Sequence, residues 1–233
     1  MTISIQRSHN NETQTYNVEL ENVTLLTVLN HIKTSLDPTL TYSHGCRSGV
    51  CGSCAVRVNG REQLMCEYKP SDGDEIEPIR NGRVIRDLVV DSSMVEQCNR
   101  AGLAWSEKTK EEGVSAKSME QIETQSDCIL CASCYSACPV YAANPNFMGP
   151  FTLTRVWRYV NDPRELNIES KMAAIQTNGI WDCTLCGACV PVCPQLIAPM
   201  QDIKMLRMKS GMLGYPDPTM SFGGGFDLGG WDF

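Results

Sequence analysis

Two cysteine runs of identical spacing constrain this chain more than any other feature. Each run has the form C-x2-C-x2-C-x3-C-P, and the two begin about 55 positions apart, at Cys128 and Cys183. This spacing is typical of [4Fe–4S] clusters, and where two runs occur together the fourth cysteine of each binds the other run's cluster. Neither run then completes a site alone. The predicted ligand sets are Cys128, Cys131, Cys134 and Cys193 for one cluster and Cys138, Cys183, Cys186 and Cys189 for the other.

A third cysteine group lies in a glycine-rich segment nearer the N-terminus. Its C-x4-C-x2-C spacing, with one more cysteine on the next predicted strand, is typical of a plant-type [2Fe–2S] cluster. Three thiolates must converge within nine residues, and the glycines permit the close wrapping that also points amide N–H groups at sulfur. A zinc site is the alternative, but zinc usually takes two CxxC-like pairs. The predicted [2Fe–2S] ligands are Cys46, Cys51, Cys54 and Cys66.

The 13 cysteines are far more than an ordinary chain of 233 residues carries. Disulfides and metal binding are the two explanations. Met1–Arg7 alternates polar and apolar residues instead of forming a secretory signal, so we expect a reducing compartment and metal or redox chemistry. Three clusters use twelve cysteines and leave Cys98, which we interpret as a buried apolar side chain.

Charge and motif content exclude several functions. The net charge of −7 disfavours nucleic-acid binding, and no apolar stretch approaches the ~18 residues that span a bilayer. The three histidines, His9, His31 and His44, have no catalytic spacing, and no GxGxxG follows a strand. We therefore predict no catalytic residue, a cytoplasmic location with membrane association only through a partner, and a role in carrying electrons between partners.

The patterns predict an α+β fold in two domains. Residues 1–104 would form a β-grasp ferredoxin domain: strands at 2–8, 13–20 and 74–79, a helix capped by Thr24, and a hairpin turning at Asn59-Gly60. Apolar residues over 84–98 have near-helical spacing. Residues 105–220 would form an α-helical ferredoxin domain, with a linker or exposed helix at 105–127 and helices at 152–160 and 200–208.

The last segment, 221–233, combines glycines with four aromatic residues. A disordered end is one interpretation of it. We favour a segment that lies in a groove of a partner or of its own chain, because four aromatics would be unusual in a merely solvated tail. The aromatic residues are Phe222, Phe226, Trp231 and Phe233.

Taken together, these motifs resemble the iron–sulfur subunit of succinate dehydrogenases and fumarate reductases. The resemblance covers residues 1 to about 210 and is carried by the segments 46–54, 84–91, 128–134, 144–145 and 147–150. It implies a flavoprotein partner with FAD that interconverts succinate and fumarate, in the tricarboxylic acid cycle or in anaerobic respiration. It also implies electron flow through the [2Fe–2S] cluster, the middle cluster and a distal cluster to a quinone at the membrane.

Three departures from the family pattern qualify this expectation. Most members lack a cysteine at the position of Cys186 and carry a [3Fe–4S] cluster there, so the resemblance predicts [4Fe–4S] at the third site of this chain. Residues that help form the quinone pocket are replaced by Thr184 and by Ala142 and Ala143. The pattern is similar to the methylmenaquinol:fumarate reductase branch, whose third subunit is cysteine-rich and whose distal acceptor is quinone- or thiol-linked.

Two alternatives remain from the sequence. One is a free-standing multicluster ferredoxin that serves several enzymes. The other is the iron–sulfur subunit of a different flavin dehydrogenase, although such subunits mostly lack the N-terminal [2Fe–2S] domain.

Overall fold

The computed structural model of the protein describes residues 1–8, 12–106, 109–111 and 113–219. Its N-terminal part is built on β1 (Thr2–Gln6), β2 (Thr13–Asn17), β3 (Ala55–Val58), β4 (Arg61–Leu64) and β5 (Asp74–Glu77). These strands form one sheet in the order β2-β1-β5-β3-β4, in which β1 and β5 are parallel and the other pairs antiparallel. Helix α1 (Leu25–His31) continues as a π-helical turn, Ile32–Leu36, and buries its apolar side chains in the core of this sheet. The mixed sheet with one packed helix agrees with the predicted β-grasp arrangement.

Two local predictions in this part of the chain are confirmed. Asn59 and Gly60 both have positive φ, 50° and 80°, as the tight hairpin turn between β3 and β4 requires. Thr24 is extended and accepts a hydrogen bond from the Thr27 amide at 3.4 Å, which caps α1.

The segment 84–98 is not the continuous helix that its apolar spacing suggests. Its first part forms an antiparallel pair, β6 (Val84–Arg86) and β7 (Val89–Val90), and only then does helix α2 (Ser93–Ala101) begin. The interruption lies at Asp87, whose φ is 47° and whose carboxylate accepts from the Thr41 amide at 2.9 Å. The β-branched residues on either side favour extended backbone, so this tertiary contact and local propensity together override the spacing.

The C-terminal part is helical. Residues 105–127 hold two short helices, α3 (Ala116–Glu120) and α4 (Glu123–Ser126), in the region predicted as a linker or exposed helix. The remaining elements are α5 (Ser133–Ser136), a 3-10 turn (Pro139–Ala142), α6 (Gly149–Val160), α7 (Ile168–Ala174) and α8 (Pro199–Met212). Helices α6 and α8 pack against each other at the centre of a second core. Within the described residues, no helix is both long and apolar enough to span a bilayer.

Buried polar contacts join the two parts. The Ser136 hydroxyl donates to the buried Glu62 carboxylate at 2.6 Å, and the Asn81 amide donates to the Tyr135 carbonyl at 2.7 Å. Helix α2 lies within the predicted first domain, yet its Met94, Val95 and Cys98 pack against the second core. The two parts therefore share an interface that is apolar as well as hydrogen-bonded.

Candidate metal centres

The first four cysteines meet beside the sheet. The sulfur atoms of Cys54 and Cys66 are buried and lie 3.4 Å apart, whereas Cys46 and Cys51 are exposed. The loop that carries them turns through Gly49, whose φ is 74° and whose amide points at the Cys66 sulfur at 3.3 Å. A residue with Cβ would be strained at this φ. The predicted [2Fe–2S] ligands thus share one site, partly open to solvent.

Electrostatics differ within this first site. Hydrogen bonds, first from the Ser48 amide and then from Cys51, lower the pKa of the exposed Cys46 thiol to about 6. Burial raises the pKa of Cys54 to about 12. A bound metal deprotonates such a buried thiol, and the amides around the loop favour the thiolate form. The donor set and its polar surroundings therefore fit a cluster held by four thiolates.

The second group of thiols encloses a cavity. Cys128, Cys131 and Cys134 line it together with Cys193, which comes from the other cysteine run. Burial raises the pKa of Cys134, and the neighbouring thiolates add to this effect. None of these four cysteines is fully exposed, so this is the most enclosed of the three sites.

The third group combines the first three cysteines of the second run with the last cysteine of the first run, Cys138. Burial, aided by the nearby Cys183 and Cys186 thiolates and opposed by a hydrogen bond from Val140, raises the pKa of Cys138 to about 11. Cys189 is likewise buried, with its pKa raised to about 12, and lies within the field of Cys183 and Cys138. Cys186 is exposed. The structure thus places the last cysteine of each run among the first three of the other.

The two cysteine runs have the same backbone conformation at equivalent positions. Leu130 and Leu185 have φ of 54° and 56°, and two residues later Ala132 and Gly187 have φ of 61° and 80°. This alternation turns amides toward sulfur: the Leu185 amide lies 3.4 Å from the Cys183 sulfur, and the Leu130 amide lowers the pKa of Cys128 in the same way. Successive amides of this kind form an anion-binding concavity. Spacing alone did not reveal it, because leucine rarely adopts positive φ.

The first and second sites touch through a glycine. A Cβ placed on Gly52, whose φ is 72°, would lie 2.6 Å from the Ile129 carbonyl oxygen and 2.8 Å from the Cys131 Cα. Close by, the Gln195 side chain donates to the Gly49 carbonyl at 3.1 Å. No larger residue than glycine fits between the two loops. The loop of the first site therefore lies directly against a cysteine of the enclosed site.

Five other features singled out in the sequence are His31, His44, Cys98, His9 and the tail. His31 is on α1 and His44 is exposed beside the Tyr42 ring, while His9 and the tail 221–233 lie outside the described residues. Cys98 is half-buried against the second core. Within the described part of the chain, no three His, Cys, Asp or Glu side chains are placed to hold a single metal ion. A cluster is larger than an ion, so its four thiolates need not stand that close.

Comparisons with known proteins agree with these donor sets. The 2Fe-2S iron-sulfur cluster binding domain matches residues 2–97, and the 4Fe-4S dicluster domain matches residues 124–197. The chain is 40% identical over 213 residues to the 8-methylmenaquinol:fumarate reductase iron-sulfur subunit of Wolinella succinogenes, covering 83% of this chain and 67% of that one. It is 34% identical over 196 residues to the fumarate reductase iron-sulfur subunit of Escherichia coli O6:H1, covering 80% of each.

A solved structure has the same fold. A chain of the Mycobacterium smegmatis Sdh1 complex in the apo form aligns with a TM-score of 0.83, at 24% identity, over 93% of this chain and 97% of that one. Its likeness therefore extends over both parts of the molecule, including their junction.

Proposed function

The chain belongs to the iron–sulfur subunits of fumarate reductases and succinate dehydrogenases, and from this we propose how it works. It is the electron-transfer subunit of such a complex and relays electrons between FAD in a flavoprotein subunit and a membrane-associated third subunit. Bound iron–sulfur clusters supply the one-electron carriers. The substrate site lies in the flavoprotein, and this chain carries no catalytic residue.

The cysteines hold the clusters in three sets. Cys46, Cys51, Cys54 and Cys66 are assigned to [2Fe–2S], the middle set of Cys128, Cys131, Cys134 and Cys193 to [4Fe–4S], and Cys138, Cys183, Cys186 and Cys189 to a second [4Fe–4S]. The contact of Gly52 with Cys131 supports direct transfer between the first two sites. The enclosure of the middle set supports a carrier that exchanges electrons only with its neighbours. We place the domain boundary at 104/105.

The third site is where we expect this chain to differ from most of its family. Thr184 and Cys186 are exposed there, as are Ala142 and Ala143 beyond Cys138. Without the usual quinone-pocket residues, this surface suits transfer to a protein partner, and we propose a cysteine-rich third subunit. The relative from Wolinella succinogenes, an 8-methylmenaquinol:fumarate reductase subunit, supports a quinol-linked complex that reduces fumarate. We propose, from the sequence expectation alone, that this chain works on the cytoplasmic side of a membrane.

The proposal rests on one observation: the match to a 40%-identical relative extends over 83% of a chain that carries three groups of four thiols. The test is to purify the native complex through a tag on this chain. We expect a flavoprotein to co-purify. We also expect succinate to reduce the [2Fe–2S] cluster, so that the signal of the reduced cluster appears in electron paramagnetic resonance (EPR). A dominant free monomer in gel filtration would favour the free-standing ferredoxin instead.

A further inference from the structure

A buried carboxylate contacts one of the residues that line the cavity of the middle site. Asp202, on the first turn of α8, is 4% exposed. The Thr154 hydroxyl donates to its Oδ2 at 2.7 Å and the Gln125 side-chain amide donates to its Oδ1 at 2.9 Å. Thr154 itself lines the cavity with Cys128, Cys131, Cys134 and Cys193, and so does Pro199 at the start of α8. Both hydrogen-bond donors to Asp202 are neutral.

No cation described in the structure pairs with this carboxylate. On α6, Arg155 reaches the Ala104 carbonyl and Tyr159, and Arg158 pairs with Asp162 at 2.9 Å. On α8, Lys204 is exposed, Arg207 donates to the Ile180 and Cys183 carbonyls, and Lys209 donates to the Val160 carbonyl. The acidic residues at the ends of α4, Glu123 and Asp127, are exposed. The remaining titratable groups nearby are the thiols of the middle site, and Arg155 lies near Cys128.

We propose that Asp202 couples reduction of the middle cluster to the uptake of one proton. The inference rests on the proposed function, which supplies the electron from the flavoprotein. Asp202 takes one proton from water onto a carboxylate oxygen when the middle site gains one electron, and it releases that proton on reoxidation. No bond between heavy atoms forms or breaks.

The physical reason is charge in a medium of low dielectric. An added electron and an ionised carboxylate repel strongly when water is excluded between them. Burial raises the pKa of Asp202 to about 6 against the hydrogen bonds of Thr154 and Gln125, so the group already titrates near neutrality. A further negative charge behind Thr154 raises that pKa again. Gln125, which donates to the carboxylate, is itself half-buried and therefore partly open to solvent.

The test is a redox titration of the purified complex between pH 5.5 and 8.5, with the EPR signal of the reduced middle cluster as the readout. In wild type, we expect the reduction equilibrium to become up to tenfold less favourable per pH unit, or about 59 mV, above the pKa of Asp202 in the oxidised protein. Asp202→Asn should remove this slope and raise the potential at alkaline pH. Asp127→Asn is the matched control: it removes an exposed carboxylate next to Cys128 and should keep the wild-type slope.

A second variant protects the test against misfolding of Asp202→Asn. Gln125→Leu removes one donor to the carboxylate without touching the cavity, so the inflection should move to higher pH. A pH-independent wild-type potential, an unchanged slope in Asp202→Asn, or an unmoved inflection in Gln125→Leu would overturn the inference. Absence of any middle-cluster signal in wild type would instead contradict the proposed function.

Discussion

The first cysteine site takes three of its four thiols from nine consecutive residues, whereas each site of the helical part draws on two segments about 55 residues apart. The first is a local loop with two exposed cysteines, and its Gly49 and Gly52 adopt positive φ. The other two depend on tertiary structure, and each completes the other. One chain can therefore hold similar donors either independently or in mutual dependence, and the loss of one ligand should have different effects in the two arrangements.

Loss of one thiol should have the largest effect and should separate the two arrangements. Cys66→Ser is expected to remove only the [2Fe–2S] signal, since its site shares no ligand with the others. Cys193→Ser is expected to abolish the middle cluster and destabilise the third, because its run also supplies Cys183, Cys186 and Cys189. Iron analysis and EPR of the purified variants measure this. Loss of all three clusters in Cys66→Ser would show that the first site does not hold its cluster independently of the other two.

Removing the exposed Cys186 thiol from the third site should have a smaller and more local effect. Cys186→Ser is expected to convert that site to [3Fe–4S] or to leave one iron labile, with the [2Fe–2S] signal intact. EPR of the oxidised protein detects the [3Fe–4S] form. A stoichiometric [3Fe–4S] signal in oxidised wild type would contradict our assignment of Cys186.

The junction of the two parts can be tested with a pair of glycine variants. Gly52→Ala combines positive φ with a clash against backbone atoms of the Cys131 loop, and we expect a loss of about 3 kcal/mol or more. Gly73→Ala has a similar φ of 84° with nothing within 4 Å of the new Cβ, so about 1–2 kcal/mol is expected. Chemical denaturation gives both values. Equal losses would show that the loops are not in tight contact.

The two parts should also respond to pH in opposite directions. Hydrogen bonds, led by those from Thr39, hold the pKa of Asp37 well below its usual range against the opposing effect of burial. The buried Arg7 guanidinium, whose Nε lies 3.2 Å from Asp87, contributes to a lowered pKa there as well. Because the unfolded chain then binds more protons, the sheet part loses stability as pH falls below about 4.

The pKa of Asp202 is shifted in the opposite direction, and its effect on stability has the opposite pH dependence. Its folded pKa of about 6 lies above the unfolded value, so its contribution is full below about pH 4 and is lost as pH rises through 6. The change is at most about 3 kcal/mol, from 1.36 kcal/mol per pKa unit. Hydrogen-exchange protection, measured by region at pH 3, 5 and 7, should fall at low pH around Arg7 and at high pH around α8. A loss of protection at the same pH in both regions would contradict the expected opposite pH responses.

Much of this architecture is predictable where the determinants are local. The Asn59-Gly60 turn and the Thr24 cap depend on a few neighbouring residues, and the cysteine spacings point to the donor sets. The pairing at 84–90 was not predictable, because Asp87 is held by residues about 46 and 79 positions away. The left-handed leucines, Leu130 and Leu185, carry no sequence signal except that they occupy equivalent positions in the two runs. Asp202 has no motif at all.

The exchange of terminal cysteines also has a consequence for biosynthesis. A chain leaving the ribosome presents all four thiols of the first site once residue 66 has emerged. The third site requires Cys189, and the middle site, although it begins at Cys128, lacks its last thiol until Cys193 has been made. We therefore expect delivery of iron and sulfide to divide into two stages: the N-terminal site can be completed early in translation, whereas neither of the other two can be completed before Cys189 and Cys193 have been made.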